Sequence, residues 1–413
     1  MAPSNIPSSW RLASYGELLA ETDERAGEDI DLPVLSVTKN RGLMLASERF
    51  GRTMHGRDLR RYRVARRNQI VADPMLLWDG SIGLQEVVDA GLVSPDYRVY
   101  QPRGGVDPQF LGMFVRSPSQ ILHYQAGAKG TNVRRNRIAR SDFMGIPLFL
   151  PPLEEQRRIV ACLSAIDDCL ESTQELAEHI HVTMNVILAE LLGQRAPADR
   201  SAATHSRFGL TPEDWQTVGL LDVVQLPHRQ VDPRELPYSE WPLVAPNHIE
   251  SSTGRLLAIE SAKTQEAISG KYTFEPNDVV YSKIRPYLRK AWLADMTGLC
   301  SADMYPLRPY SDKILPEFLL CILLGEQFSR FAESVSMRTG IPKINREELA
   351  QYRFELPSVD EQVAISALAR VIRDRLDSER AYLRGLKDTR EALATGLFCG
   401  KVRLLSEGVV DAS

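Results

Sequence analysis

The sequence predicts a mixed α/β fold in which two similar globular domains, related by internal duplication, are separated by two long coiled-coil helices. Three observations lead to this prediction: a heptad pattern near the middle of the chain, a second one near its end, and short motifs that recur about 206 residues apart. At 413 residues, with 43% hydrophobic and 25% charged residues, the chain has room for two or three domains with substantial cores.

The first heptad pattern runs from Pro151 to Leu192, with apolar residues in alternating steps of four and three that only Thr173 interrupts. Its members are Ile159, Leu163, Ile166, Leu170, Ala177, Ile180, Met184, Ile187 and Leu191. Pro151 and Pro152 open the segment, acidic residues follow where the helix dipole favours them, and the next glycine is Gly193. We therefore expect one continuous helix of about 40 residues, roughly 60 Å long.

The same seam recurs 206 residues later, interrupted at Glu379 and Arg390. Its members are Ile365, Ala369, Ile372, Leu376, Leu383, Leu386, Leu393 and Leu397. Glu379 occupies the heptad position of Thr173, so the polar break is repeated as well. The helix entrances also match, as Leu150-Pro151-x-x-Glu154-Glu155-Gln156 and Leu356-Pro357-x-x-Asp360-Glu361-Gln362. Two helices with the same seam are natural partners for each other.

Shorter motifs recur at offsets of 205 to 209 residues, and the apolar, β-branched ones predict strands. The pairs are Pro7-x-x-Trp10 with Pro212-x-x-Trp215, 32–37 with 241–244, 68–71 with 277–280, Ser94-x-Asp96 with Ser301-x-Asp303, the helix starts Pro108 and Pro316, and Ile138 with Ile344. The predicted domains are globules at 1–150 and 210–356, helices at 151–192 and 357–400, a polar linker at 193–209 and a tail at 401–413.

Composition excludes several classes of protein. The sequence shows no basic segment followed by an apolar leader, and no apolar run approaches the roughly 18 residues of a membrane span, so we expect a cytoplasmic protein. Cys162 and Cys169 lie a heptad apart on a helix, and none of the five cysteines forms a Cys-x-x-Cys pair. The sequence therefore predicts neither a disulfide framework nor a zinc site.

The net charge of −4 averages segments of opposite character. The first long helix is acidic, whereas between positions 41 and 67 nine arginines face only Glu48 and Asp58. The second half has no arginine-rich match for this segment and instead carries cations and aromatic residues at 283–292. Concentrated positive charge indicates a polyanionic partner, and different basic loops on a repeated scaffold indicate two readers of two different targets.

At this point the chain resembles a known family. The run from Ile146 to Val160, its echo at 356–365 and the ending Gly396-Leu397-Phe398-x-Gly400-Lys401-Val402-Arg403 are similar to the specificity subunit of type I restriction-modification systems, over essentially the whole chain. The resemblance implies two target-recognition domains, each reading one half of a split DNA sequence, and two long coiled-coil helices that pack antiparallel and space the domains. The second entrance departs from the pattern, because Ser358 follows Pro357 where the first copy has a second proline.

The resemblance also implies the partners. These are double-stranded DNA with a bipartite target, two methyltransferase subunits held by the long helices, and restriction or motor subunits, within a phage defence system and without a membrane. No cofactor is expected in this chain. S-adenosylmethionine, ATP and magnesium would belong to the partner subunits.

Catalytic motifs are weak. Gly396-x-x-x-Gly400-Lys401 mimics a phosphate loop but lacks one residue of spacing and the following hydroxyl, which favours a helix terminus. Asp73-Pro74-Met75 would need an aromatic residue where Leu76 stands to match a methyltransferase motif. His179 and His181 point to opposite sides of a helix, as solvated residues do. We therefore predict no catalytic, cofactor-binding or metal-binding residue.

The binding motifs are stronger. The segment from Lys129 to Arg140 is cationic, contains glycine and holds no acid, which favours contact with phosphates or guanine edges over a merely solvated loop. Tyr287 could stack on a base or belong to the core. The residues predicted to contact DNA are Arg57, Arg60, Arg61, Arg63, Lys129, Arg134, Arg135, Arg137, Lys283, Arg285, Tyr287, Arg289, Lys290, Arg338 and Lys343.

Two other functional classes are weighed against this hypothesis. A coiled-coil adaptor with two protein-binding heads would share the architecture, but dissimilar basic loops on both heads weigh against it. An enzyme acting alone would need the motifs that the sequence lacks. The prediction is a non-catalytic, DNA-reading subunit of a larger enzyme.

Overall fold

The computed structural model describes residues 6–27, 31–39, 41–51, 59–128, 137–192, 215–227, 229–336, 340–405 and 408–411. The chain folds into two compact units. Unit 1 comprises Met1–Ser172 together with Leu383–Ser413, and unit 2 comprises Thr173–Tyr382. Each unit therefore contains one globular part and a portion of both long helices.

The secondary structure alternates short strands with helices. The helices are α1 (Tyr15–Leu18), α2 (Ala46–Phe50), α3 (Pro108–Phe114), α4 (Pro118–Gly127), α5 (Arg140–Met144), α6 (Leu153–Leu191), α7 (Leu220–Val223), α8 (Pro316–Leu324), α9 (Glu326–Ser336), α10 (Arg346–Leu349) and α11 (Val359–Phe398). The strands of the first half are β1 (Arg11–Ser14), β2 (Leu19–Thr22), β3 (Leu35–Thr38), β4 (Gly42–Leu45), β5 (Arg63–Arg66), β6 (Ile70–Ala72), β7 (Ile82–Leu84), β8 (Ala90–Val93), β9 (Arg98–Pro102) and β10 (Pro147–Leu150). The remaining strands are β11 (Gln216–Gly219), β12 (Val224–Gln225), β13 (Pro242–Val244), β14 (Glu260–Ser261), β15 (Tyr272–Phe274), β16 (Val279–Ser282), β17 (Ala291–Leu293), β18 (Gly298–Cys300), β19 (Met304–Pro309), β20 (Arg353–Leu356), β21 (Val402–Leu405) and β22 (Gly408–Asp411).

Unit 1 is built on an antiparallel sheet of strand order β2-β9-β6-β7. Strand β6 is paired on both edges, and its residues Ile70–Ala72 are almost fully buried, as expected of a central apolar strand. The pairs β3-β4 and β5-β8 flank this sheet, and Val34 forms a parallel bridge with Leu92. Strands β1 and β10 pair with each other at the entrance to helix α6.

Unit 2 repeats this plan. Its first sheet has the order β12-β19-β16-β17, which matches the unit 1 sheet strand for strand along the chain. In its second sheet, β14-β13-β18-β15, β13 and β18 are parallel, as are Val34 and Leu92 in unit 1. Strands β11 and β20 pair in front of helix α11. The predicted mixed α/β fold class and the internal duplication are therefore confirmed.

The long helices follow the two globular parts along the chain, as the heptads predict. Helix α6 has 39 residues and α11 has 40. The structure starts α6 at Leu153 because the Pro152 carbonyl is already an acceptor for the amides of Glu155 and Gln156. The prolines therefore precede the helix. Helix α11 ends at Phe398, and Gly400 has φ +75°, so the glycine-lysine motif is a helix terminus.

Within unit 2, the end of α6 and the start of α11 are antiparallel. Met184 packs with Ala369 and Leu376, all 3% exposed or less, and the earlier seam residue Ile180 packs against the same cluster. Within unit 1, the start of α6 meets the end of α11, where Asp167 pairs with Arg390. The described seam residues are thus buried or half-buried in both units, and in unit 1 the seam position Arg390 is occupied by an ion pair.

Helix ends contribute directly to the globular cores. In unit 1, Leu397 and Phe398 of α11 join the core with Phe110 and Phe114 of α3, and Phe398 meets both rings edge-on. In unit 2 the counterpart at the end of α6 is Leu192, which is 4% exposed and packs in the core with α8. Each globular part thus buries the end of one long helix and the beginning of the other.

The repeated entrance motif has a structural cause. The Trp10 Nε1 group donates to Glu155 Oε2 at 3.1 Å, and Trp215 Nε1 donates to Glu361 Oε1 at 3.2 Å. The glutamine that follows each glutamate is buried, and its side chain bonds to the loop in front of α3 or α8 and back to the proline carbonyl. The motif therefore fixes each long helix to its own globular part.

Candidate nucleic-acid interface

The structure describes ten of the fifteen residues predicted to contact DNA. Arg57, Lys129, Arg134, Arg135 and Arg338 lie outside the described residues. The ten described ones are Arg60, Arg61, Arg63, Arg137, Lys283, Arg285, Tyr287, Arg289, Lys290 and Lys343. Four of these belong to unit 1 and six to unit 2, and the two sets have different environments.

In unit 1, Arg63 is tied into the fold. Its side chain is 14% exposed, forms an ion pair with Asp23 at 2.8 Å, and donates to the carbonyls of Thr22 and Pro95. It therefore joins β5 to the end of β2. Its acid partner lies 40 residues earlier, so a count of charges within the arginine-rich segment could not reveal it.

The neighbouring arginines of that segment are also neutralised by distant acids. Arg66 forms a bidentate pair with Glu24, and Arg67 bonds to Asp89. The accumulation of arginines in the sequence thus overstates the free positive charge of the folded segment. Arg60 and Arg61 are exposed in a short 3-10 turn, and Arg137 is exposed beside the buried Ile138. The DNA-binding role of these three remains a prediction.

In unit 2, the predicted cations occupy the connection between β16 and β17. This connection contains a 3-10 turn at Pro286–Leu288, flanked by Arg285 and Arg289, whose φ angles of +50° and +47° are left-handed. Such angles are uncommon for residues with a side chain and produce a tight, raised turn. Arg285 is exposed and Tyr287 is 51% exposed, so this turn presents a cation and an aromatic ring to solvent.

The structure brings Lys343 against this turn. Ile284 and Lys343 form an antiparallel bridge, the Ile344 amide donates to the Lys283 carbonyl at 2.9 Å, and the Arg285 amide donates to the Pro342 carbonyl at 2.8 Å. Two clusters that are separated by more than 50 residues in the sequence therefore form one surface. We call this surface the basic turn and define it as residues 283–290 with 341–346.

Lys283 is the least exposed cation of the basic turn, at 8%. Its Nζ lies 5.0 Å from the centroid of the Tyr305 ring, and the Arg346 guanidinium lies 5.8 Å from the same centroid. Burial lowers the pKa of Lys283, and the positive charges of Lys343 and Arg346 lower it further, against the opposing effect of Asp303. Arg346 was not among the predicted residues.

Lys290 has a more structural position. Its Nζ donates to the Pro246 carbonyl at 2.7 Å, which ties the turn to the strand β13 side of the unit. Burial lowers the pKa of Lys290, and the charge of Arg285 acts in the same direction. The carbonyl of Arg289 accepts from the Ser252 amide. The base of the turn is therefore fixed, while Arg285 and Tyr287 stand at its tip.

Unit 1 also contains a groove of about 1260 Å³ between its globular part and its helices. Its charged lining residues carry both signs, and they are Arg41, Glu86, Arg116, Asp167, Glu171, Lys387, Arg390 and Glu391. Burial lowers the pKa of Arg116, with a further contribution from Arg390. This mixture of charges does not define an anion site.

Asp73, which lies in the motif closest to a catalytic signature, has a structural position. Asp73 accepts from the Met75 amide at 2.9 Å, as a turn-capping carboxylate does, and its pKa is raised by burial. Within the described ranges, no group of three or more His, Cys, Asp or Glu side chains is arranged to hold a metal ion. None of the helices there is both long enough and apolar enough to cross a membrane.

The chain is similar to known proteins over unit 2 and over longer stretches. The family model for the type I restriction modification DNA specificity domain matches residues 212–383. The type I restriction enzyme EcoDI specificity subunit of Escherichia coli is 29% identical over 246 residues, which cover 54% of this chain and 54% of that protein. The MjaVIII specificity subunit of Methanocaldococcus jannaschii is 22% identical over 353 residues, covering 80% and 79%.

The fold has a similar relative among solved structures. A chain from a structure that concerns complex assembly and conformational transition of the type I R-M system superposes with a TM-score of 0.59 at 19% identity, covering 96% of this chain and 99% of that chain. At this identity the likeness shows the fold. The specificity-domain model matches most of unit 2, and both curated relatives are specificity subunits, so the chain is similar to the specificity subunits of type I restriction-modification systems.

Proposed function

We propose that this chain is the DNA sequence-specificity subunit of a type I restriction-modification complex and that it reads a bipartite target. Each globular part would dock one half-site through contacts with base edges and phosphates. The observation that carries this proposal is the repeated sheet scaffold with different charged loops at equivalent positions. Two globular parts with the same fold but differently charged loops are expected to bind two different DNA sequences.

The partners follow from the same proposal. Two methyltransferase subunits would bind the exposed faces of α6 and α11, and restriction subunits would complete the complex. S-adenosylmethionine, ATP and magnesium would be held by those partners, which would also flip the target adenine out of the duplex. This chain would supply binding and no chemistry. The EcoDI and MjaVIII relatives, both specificity subunits, favour this function over an adaptor with two protein-binding heads.

A domain exchange tests the bipartite target. The globular part at 1–150 is replaced by that of a related specificity subunit, the complex with the methyltransferase subunits is expressed, and methylated adenines are mapped across the host genome. We expect one half-site to change and the other to persist. Exchange of 210–356 serves as the reciprocal control. A change in both half-sites after either exchange would refute the assignment of one half-site to each globular part.

A second test concerns catalysis. The purified single chain should neither bind S-adenosylmethionine in calorimetry nor methylate or cut DNA, and specific DNA binding should require co-purified methyltransferase subunits. Asp73→Asn is the informative variant, since Asp73 lies in the motif closest to a methyltransferase signature. Turnover by the single chain that disappears in this variant would contradict the non-catalytic role.

A further inference from the structure

The basic turn contains a largely buried lysine whose charge is not paired with a carboxylate of the described residues. Lys283 is 8% exposed, and among the described residues no carboxylate lies within ion-pair distance of its Nζ. The nearest compensation is the Tyr305 ring, at 5.0 Å from its centroid. A buried charge without a partner is unfavourable, and proteins retain one where a function requires it.

Neighbouring residues add to the positive charge. Lys343 and Arg346 act on Lys283 as like charges, and Asp303 and Cys300 are the opposing groups that face it. Cys300 is fully buried, and burial strongly raises the pKa of its thiol, so it carries no charge near neutral pH. Lys283 and Arg346 therefore both lie over the Tyr305 ring, and Lys343 adds its charge to that of Lys283. The acids that act on this group are Asp303, on Lys283, and Glu348, on Tyr305.

The duplicated scaffold provides an internal comparison. In unit 1 the equivalent strand connection, 73–81, carries Asp73 and Asp79 in place of lysine and arginine. The counterpart of Arg346, 206 residues earlier, is Arg140, and its Nε donates to Glu21 at 2.5 Å. In unit 2, Arg346 bonds to the carbonyl of Pro227. The scaffold therefore does not require this excess of charge.

We propose that Lys283 and Lys343, with Arg346 beside them, form an anion-binding site in unit 2 that takes one phosphate group of the DNA backbone. The described residues of unit 1 have no equivalent site. The inference rests on the proposed DNA-reading function. A phosphate held here places the adjacent tip, with Arg285 and Tyr287, against the neighbouring nucleotides. The second half-site is then anchored by a phosphate contact beside the turn that reads it.

The test is the double variant Lys283→Gln with Lys343→Gln, in the chain co-purified with its methyltransferase subunits. DNA affinity is measured as a function of salt concentration. Loss of one phosphate contact should reduce the slope of log K against log salt by about 0.9. The methylated sequence should stay the same, because a phosphate contact carries no sequence information.

The matched control is Lys263→Gln with Arg330→Gln, which removes the same charge from unit 2. Both cations are largely exposed and paired with Glu240 and Glu326. The control should keep the slope, and Lys343→Arg, which keeps the charge, should keep it too. If the double variant and the control have equal slopes, the anion site is refuted while DNA reading stands. If the unsubstituted complex binds no duplex specifically, the proposed function fails.

Stability without DNA gives an independent measurement. Burial and the neighbouring positive charges lower the pKa of Lys283, so its charged form is unfavourable in the fold, and Lys283→Gln is expected to raise the thermal unfolding temperature of the free chain by a few degrees. A purely structural lysine would instead lower it when substituted, and that result would overturn the inference.

Discussion

Units 1 and 2 share an entrance to their long helix but use its glutamate differently. In unit 1, Glu155 is 1% exposed and accepts from Trp10 and, in bidentate fashion, from Arg403 at 2.7 and 3.0 Å. In unit 2, Glu361 is only partly buried and accepts from Trp215 and Ser358. The backbone frame has thus been kept through duplication, while the charges around it have diverged.

A second difference lies beside the helices. In unit 2, Glu250 receives hydrogen bonds from Arg255 and Arg380, and Arg255 also lies 3.8 Å from Asp377. This network joins the loop after β13 to α11. At the matching place in unit 1, 209 residues earlier, stands Arg41, and there the loop and helix line the open groove. Divergence between the units is therefore concentrated in charged side chains at the edges of a common core.

The largest expected effect comes from removing the glutamate at the start of each long helix. Glu155→Ala should destabilise the chain by about 3–5 kcal/mol, because it leaves Arg403 and Trp10 buried without their acceptor. Glu361→Ala should cost about 1 kcal/mol, because Trp215 and Ser358 are neutral donors and no arginine loses its acid partner. Urea unfolding of both variants, with Glu155→Gln as the variant that keeps an acceptor for Trp10, measures the difference. If both alanine variants lost the same free energy of unfolding, the proposed difference between the two helix entrances would be wrong.

A glycine pair gives the next largest effect. Gly91 and Gly298 occupy equivalent strands, and a Cβ at Gly298 would lie 2.8 Å from the Pro242 carbonyl and 2.6 Å from Phe274. At Gly91 the closest atom, 2.6 Å away, is in the flexible Leu35 side chain. Gly298→Ala should therefore cost about 2–3 kcal/mol and Gly91→Ala about 1 kcal/mol. Thermal unfolding that ranks them in the reverse order would contradict this packing argument.

Glu250→Gln tests the charge network of unit 2 through the pH dependence of stability. Burial alone would raise the pKa of Glu250, but hydrogen bonds from Arg255 and Thr253 and the charges of Arg380 and Arg255 lower it below its ordinary value of 4.5. The ionised group thus stabilises the fold above that pH, and the contribution disappears as pH falls through the lowered folded-state pKa. The variant should lose about 1 kcal/mol at pH 7. Its melting temperature should fall less than that of the unsubstituted chain as the pH is lowered, which a pH series of melting curves would measure.

The smallest effect is expected at the groove. Among the described residues Arg41 forms no ion pair, so Arg41→Ala should change the unfolding free energy by less than about 0.5 kcal/mol. Its counterpart Glu250 belongs to a network and should cost more. A double-mutant cycle of Arg41 with Glu171, the groove residue that matches Asp377, should give a coupling near zero. Strong coupling would mean that the groove closes in solution.

Periodic features of the sequence predicted the fold well. The heptads gave both long helices because burial of a seam repeats every seven residues, and the strand at 68–71 was found as β6, Ile70–Ala72. The seam residue Thr173, predicted as a polar interruption, is 8% exposed, so it stays on the buried side of the helix. Elements that are determined by local periodicity could therefore be predicted from the sequence.

Long-range pairing set the limit of prediction. Arg63 was grouped with free cations although its partner Asp23 lies on another segment, and the proximity of Lys283 to Lys343 depends on a bridge across the fold. Arg346 and Arg403 were missed for the same reason. One signal was available for Arg403: a glutamate that is repeated in the first turn of both long helices must find a donor when it is buried.

The bond between Glu155 and Arg403 spans 248 residues of sequence, and the strand pair β21-β22 completes the same unit. Unit 2, by contrast, is one continuous stretch, Thr173–Tyr382. During synthesis the second globular part can therefore finish folding while the first still waits for the end of α11 to leave the ribosome. Until then the surface that Leu397 and Phe398 will cover is exposed, which makes the earlier-synthesised half the later one to mature.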